Sequence, residues 1–174
     1  MYTHILATLD GSALSESILP QLEKLAGGTR LRITLLAVAE DPNPITSEPR
    51  AYPERLIHAT GSLQEAALQE IDVHREGETH EQAIQRVESE LQQYLEGHAA
   101  ALRAGGIETA CLVAMGDPVY TIVERARTLG VDAIAMASHG RTGLSQLVSG
   151  SIAAQVIERS GLPVLVVRPD GHNH

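Results

Sequence analysis

The 174-residue chain contains no Phe, no Trp, a single Cys (Cys111), a single Lys (Lys24) and only four Tyr. Each scarcity excludes something. One Cys excludes an internal disulfide framework and a Cys-based zinc cluster. One Lys excludes a P-loop, because Lys24 lies in Gln-Leu-Glu-Lys and follows no glycine-rich loop. Without Phe or Trp there is little aromatic platform for stacking single-stranded bases. The formal net charge of −9 also argues against a nucleic-acid binder, which needs a basic patch. Apolar runs are short: Leu35 to Ala39 falls far below the ~20 residues of a membrane helix. The start, Met1-Tyr2-Thr3-His4, has no basic segment before an apolar one. The expectation is a cytoplasmic protein that engages neither membrane nor nucleic acid. With 43% hydrophobic residues, the chain has an ordinary globular composition and fits one domain, 1–174.

What is present is an alternation. Five runs rich in Val, Ile, Leu and Ala read as strands buried on both faces: Thr3 to Leu9, Leu31 to Val38, Ile107 to Ala114, Val131 to Ala137 and Pro163 to Arg168. Between them lie helical patterns. Leu14, Ile18, Leu22 and Leu25 share a face up to Gly27-Gly28, with Pro20 inside costing regularity. Ala83, Val87, Leu91, Leu95 and Leu102 mark a long helix that Thr79 and Gln82 cap. A third helix follows Asp117-Pro118, and a fourth carries Ile152, Val156 and Ile157 up to Gly161. The predicted fold is α/β: a single doubly wound, Rossmann-like, five-stranded parallel sheet of order 3-2-1-4-5, helices on both faces. A long insert at about 39–78 interrupts it after strand 2. The insert opens Pro-rich (Pro42, Pro44, Pro49, Pro53), and Ser62 with Glu65 suggests a helix in its second half. A segment this long is either functional, as a lid or a partner surface, or a tolerated insertion.

In an open parallel sheet, ligands bind outside the carboxyl ends of the strands. The unusual residues collect there. Asp10-Gly11-Ser12 follows strand 1, Gly116-Asp117-Pro118 follows strand 3, and Ser138-His139-Gly140-Arg141-Thr142-Gly143 follows strand 4 and leads to Gly150-Ser151. Gly140 and Gly143 admit close backbone approach. Gly150-Ser151 opens a helix whose free N–H groups attract anions. The set would hold a phosphate chain without Lys. It is equally a set of ordinary turn and cap residues, Ser151 an N-cap and Asp10 the acceptor that closes a turn.

The segment from Met136 through Gly143 to Gly150-Ser151, with Leu9-Asp10-Gly11-Ser12 and Pro163 to Arg168, resembles the universal stress protein family. The resemblance covers nearly the whole chain except the insert. Nucleotide-binding members carry Gly, two residues, Gly, nine residues, then Gly-Ser or Gly-Thr. Here Gly140, Gly150 and Ser151 match, while the first position is Ala137. Three of the four elements place the chain nearer the ATP-binding branch, and the Ala137 methyl narrows backbone approach at the first. The resemblance implies Asp10 near the ribose and phosphates, through a divalent cation such as Mg²⁺. It implies backbone contacts from Val38 to adenine, and Gly116 beside the ribose. Gly140, Arg141, Gly150, Ser151 and Ile152 would surround the phosphates. It further implies a homodimer formed partly through the last strand, an apolar edge that invites pairing.

No catalytic residue emerges. His139 has no paired carboxylate or nucleophile beside it in sequence. His172 and His174 belong to a polar tail. Cys111 reads as a small hydrophobe in a strand. Phospho-receiver domains and aspartyl phosphatases of the haloacid dehalogenase type both use a Lys that this chain lacks. The expected function is a dimeric ATP-binding sensor or regulator in stress response, with at most slow ATP hydrolysis. The competing reading is a stress-related interaction protein that binds no nucleotide and meets an unknown protein partner through its insert.

Overall fold

The computed structural model describes residues 2–40, 79–137 and 152–167. Residues 41–78, which hold nearly all of the insert and the helix expected in its second half, lie outside these residues, and Ala39, expected to open the insert, ends β2. The elements run β1 (His4–Thr8), α1 (Ala13–Glu16), α2 (Leu19–Ala26), β2 (Arg32–Ala39), α3 (His80–Ala104), β3 (Glu108–Met115), α4 (Pro118–Leu129), β4 (Ala133–Ala137), α5 (Ile152–Ser160) and β5 (Val164–Val167). The five strands form one sheet of order β3-β2-β1-β4-β5, and every pairing is parallel. All five expected runs became strands, in the expected order.

Strand side chains alternate between the sheet's two faces, and the burial follows. Ile5, Ala7 and Leu9 of the first run, Ile33, Leu35 and Ala37 of β2, and Ala133 and Ala135 of β4 pack under Leu22 of α2 and Leu95, Ala99 and Leu102 of α3. Leu6, Leu36, Ile134 and Met136 meet Val119, Ile122 and Ala126 of α4 and Ala153 and Val156 of α5. Right-handed crossovers dictate this split. The chain steps from β1 to β2 to β3 in one direction, which keeps α1, α2 and α3 on one face. It then crosses back past β1 to β4, which sends α4 and α5 to the other. The reversal leaves a crevice between the carboxyl ends of β1 and β4.

The caps follow sequence chemistry. Thr79 Oγ1 accepts from Gln82 N at 3.3 Å and Gln82 Oε1 accepts from Thr79 N at 2.9 Å, the reciprocal capping box of α3. Asp117 caps α4 by accepting from Tyr120 N at 2.8 Å, and Pro118 occupies the first helical position. The first helical pattern differs from expectation. It is two helices, α1 and α2, with Pro20 at the second position of α2. There its missing N–H would have lacked an intrahelical partner anyway, so the chain restarts its helix around the proline instead of bending through it.

The amino ends of the strands are held separately. Asp132, just before β4, accepts from Thr3 N at 2.6 Å, Thr3 Oγ1 at 2.7 Å and His4 N at 2.8 Å. These three bonds hold its carboxyl down at about 2. His4 is buried; its Nδ1 lies 3.0 Å from Arg32 Nη2 and its Nε2 lies 2.9 Å from Thr34 Oγ1. Arg can only donate, so Nδ1 accepts and Nε2–H donates: His4 is neutral. Burial, then the Arg32 charge, lowers its affinity for a proton.

Candidate functional site

The register sets the site. Thr8 pairs with Leu36 and Val38 with Ala114. Counted two residues on, Asp10 lies level with Val38, and both lie at the height of the β3 end. Ala137 closes β4 across the crevice and pairs with Val167 on its far side. Asp10, Val38, Gly116 and Ala137 thus stand on one rim of one sheet: Asp10 and Ala137 flank the topological switch point between β1 and β4, and Val38 and Gly116 end the next two strands along that rim.

Asp10 sits in a knot of short hydrogen bonds. Its Oδ1 accepts from Ser12 N at 3.0 Å and from Ser12 Oγ at 2.5 Å. Ser12 Oγ accepts from Ser15 N at 3.0 Å, which caps α1. Ser15 Oγ donates to Ser12 O at 2.9 Å and accepts from Asp10 N at 3.2 Å. Both serines are buried, whereas Asp10 is exposed. One carboxylate oxygen therefore closes the turn. Both bonds from Ser12 use Oδ1, and the residue as a whole is exposed at the end of the strand.

Gly116 is required by geometry. Its φ is +135°, and a Cβ there would stand 3.2 Å from Thr121 Oγ1. Its N–H donates to Ala39 O at 2.9 Å, which ties the end of β3 to the end of β2. No other residue accepts that backbone without strain, and the result is a rim position with no side chain in the way. Val38 and Ile152 are half-buried and both pack on the α4/α5 side of the sheet, so two of the predicted contacts share one side of the crevice.

Gly140, Arg141, Gly150 and Ser151, together with His139, His172 and His174, lie outside the described residues. Among the described residues no group of three or more His, Cys, Asp or Glu could hold a metal ion, and no helix is long and apolar enough to cross a membrane. Cys111 is half-buried. Burial first, then Glu96, pushes its thiol up to about 11, so it stays protonated and unreactive. A groove of about 310 Å³ lined by Val119, Tyr120, Val123, Arg127, Arg159 and their neighbours runs between α4 and α5. Arg127 there donates to Arg159 O at the end of α5, a structural tie remote from the strand ends.

The family model described as "Universal stress protein family" matches residues 1–168. The chain belongs to that family. Universal stress protein YxiE of Bacillus subtilis is 25% identical over 171 residues, 97% of this chain and 100% of its own. Universal stress protein MJ0577 of Methanocaldococcus jannaschii is 35% identical over 83 residues, 48% of this chain and about half (51%) of its own length. The solved structure of MJ0577 superposes with a TM-score of 0.67 at 24% identity, covering 98% of this chain and 99% of that one. A universal stress protein in complex with cAMP superposes at 0.57 with 17% identity, covering 96% and 97% of the two chains. A family member from Arabidopsis thaliana with AMP bound does so at 0.57 with 12% identity, covering 97% and 93%. At these identities the structures establish the fold, which is the one the strand order already gave.

Sequence reasoning missed Glu16 and Tyr94. Tyr94 Oη donates to Glu16 Oε1 at 3.0 Å, joining α3 to the helix that follows Asp10. A signal was available: Tyr94 puts a hydroxyl on the apolar face of α3, between Leu91 and Leu95.

Proposed function

We propose that the protein binds an adenine nucleotide, ATP in the first instance, along the carboxyl ends of β1, β2, β3 and β4, and acts as a dimeric sensor or regulator in stress response. The observation that carries this reading is the rim itself. It joins an exposed Asp10 beside the switch point, the end of β4 across from it, and the end of β2 and a side-chain-free Gly116 farther along the same rim. AMP and cAMP are the ligands of two relatives of the same fold. The spacing of Gly140, Gly150 and Ser151 supplies the phosphate-binding half.

Mg²⁺ fits this arrangement only as the nucleotide's companion. No group of three or more His, Cys, Asp or Glu among the described residues could hold it, so beside Asp10 the phosphates would supply most of its ligands. With a net charge of −9, the protein repels an anionic ligand at long range. Affinity is therefore expected to be modest and to rise with Mg²⁺. Calorimetric titration with ATP, ADP, AMP, cAMP and cyclic dinucleotides, with and without Mg²⁺, tests the reading; absence of heat with all of them sinks it. Gly150→Val removes ATP binding while the far-ultraviolet circular dichroism stays unchanged. β5 forms an edge of the sheet, and we place the dimer contact there. Light scattering that finds only an 18.6 kDa monomer at micromolar concentration contradicts that assignment.

A further inference from the structure

Asp10 is presented by a turn that feeds α1, and α1 has four residues. A helix that short has too few internal hydrogen bonds to hold itself. Its serine knot fixes its start locally, and it leans on β4, the strand that ends at Ala137. Its far end is held from outside. Glu16, the last residue of α1, accepts the Tyr94 hydroxyl at 3.0 Å, and His98 Nε2 lies 3.4 Å from the same carboxylate oxygen. The Tyr94 and His98 rings meet edge to face at 4.8 Å, so both α3 groups that reach Glu16 also brace one another. Tyr94 is itself packed against the core of that face. Burial, then the Glu16 charge, raises its ionisation far above the ordinary phenol range. The hydroxyl is therefore a permanent donor, and its acceptor is a charged one, the stronger kind of hydrogen bond.

We propose that Tyr94 is a positioning residue for the nucleotide site: through Glu16 it fixes α1, and with α1 the turn that aims Asp10 at the crevice. The inference rests on the adenine-nucleotide reading of that site. Tyr94 itself touches no ligand. Its bond to Glu16 spans 78 residues of sequence and connects α3, the helix that follows the insert, to the first ligand-facing loop of the chain. The long-range side-chain tie matters because the bonds among Asp10, Ser12 and Ser15 are all within six residues of one another, whereas Tyr94 reaches Glu16 and also interacts with Ser15 from α3. The local bonds preserve the shape of the turn, and the tie to α3 preserves its place on the sheet.

The test separates placement from stability and from nucleotide binding. Tyr94→Phe keeps the ring in the core and removes only the oxygen. Glu16→Ala removes the acceptor, Glu16→Gln keeps an acceptor oxygen, and Tyr120→Phe, at a side chain 71% exposed, is the control. Amide hydrogen exchange on nucleotide-free protein is expected to quicken about fivefold to tenfold over residues 12–18 in Tyr94→Phe and Glu16→Ala, the factor carried by one charge-assisted bond at a partly exposed site. Exchange in α4 is expected to stay unchanged, Glu16→Gln to fall between wild type and Glu16→Ala because it keeps a neutral acceptor, and Tyr120→Phe to behave as wild type. ATP affinity in Mg²⁺ is expected to fall by a similar factor in the first two variants. Unchanged exchange over 12–18, or exchange that rises equally in α4, overturns the proposal. Faster local exchange with undiminished ATP affinity also overturns it, leaving only a structural tie. If the wild type binds no nucleotide while the exchange pattern appears as expected, the nucleotide reading falls and the tie between α3 and α1 stands.

Discussion

Replacing Gly116 with alanine adds one methyl group at the end of β3. Two costs follow. The backbone there has φ +135°, a region that only glycine enters freely, and forcing another residue into it costs about 1–3 kcal/mol. The new Cβ would stand 3.2 Å from Thr121 Oγ1, and Thr121 is buried, so it cannot swing away freely. The steric share adds some tenths of a kcal/mol. In a domain of this size about 1 kcal/mol lowers the melting midpoint by roughly 2–4 °C, so a fall of about 4–10 °C is expected. Gly28 supplies the comparison: its φ is +75° and a Cβ there meets nothing within 4 Å, so Gly28→Ala carries only the left-handed penalty, about 1 kcal/mol. Thr121→Ala in the Gly116→Ala background recovers the steric share and leaves the backbone share, which a double-mutant cycle resolves. Urea denaturation of the four variants reads these differences directly. A Gly116→Ala protein as stable as wild type, or no more affected than Gly28→Ala, would refute the claim that the rim is glycine by necessity.

Further outcomes follow from the packing and the caps. Leu95→Ala empties a wholly buried position at the centre of the α3 face and is expected to cost about 2–5 kcal/mol, read by urea denaturation. Asp117→Ala removes the α4 cap, with an expected loss of about 1 kcal/mol, and urea denaturation at neutral pH measures it. Acidification acts on the other end of the sheet. The Asp132 carboxyl sits at about 2 when folded against 3.8 when free, so its contribution is full above pH 3.8 and disappears as pH falls towards 2. His4 binds its proton less readily when folded, so its contribution is present above pH 6.5 and shrinks as pH falls below it. Stability against pH should therefore fall in two stages. Arg103 likewise holds the Glu96 carboxyl below its ordinary range, so in Asp132→Asn the lower stage should shrink without vanishing and stability at neutral pH should drop; a lower stage of unchanged size in that variant means the Thr3 and His4 contacts are not part of its source.

Much of the fold could be read because its signals are local. Each strand is a short run of Val, Ile, Leu and Ala, and each run needs burial on both faces, so the runs announce a covered parallel sheet wherever they pair. Thr79 with Gln82, and Asp117 with Pro118, mark helix starts through bonds spanning three residues. Pro20 is equally visible, but the sequence pattern puts it inside one continuous helix where the structure begins a second one. A proline tolerated in a first turn lets the chain begin a new helix, and the choice between bending and restarting depends on how Ile18 and Leu22 seat in the core.

The site divides along the same line. Asp10, Val38, Gly116 and Ala137 could be placed at strand ends from sequence, because strand length and direction put them there. Their level on the sheet came from the register, and the register comes from pairings between runs tens of residues apart. The composition, the alternation of β and α, the caps and the glycine spacing belong to the sequence itself, since each rests on neighbours within about one helical turn or one strand. The tie from Tyr94 to Glu16, the Asp132 clamp on Thr3 and the neutral His4 belong to the tertiary structure. Each depends on two groups brought within hydrogen-bond or van der Waals distance by the crossover of the sheet, and no periodicity in the chain encodes which distant residue will arrive there.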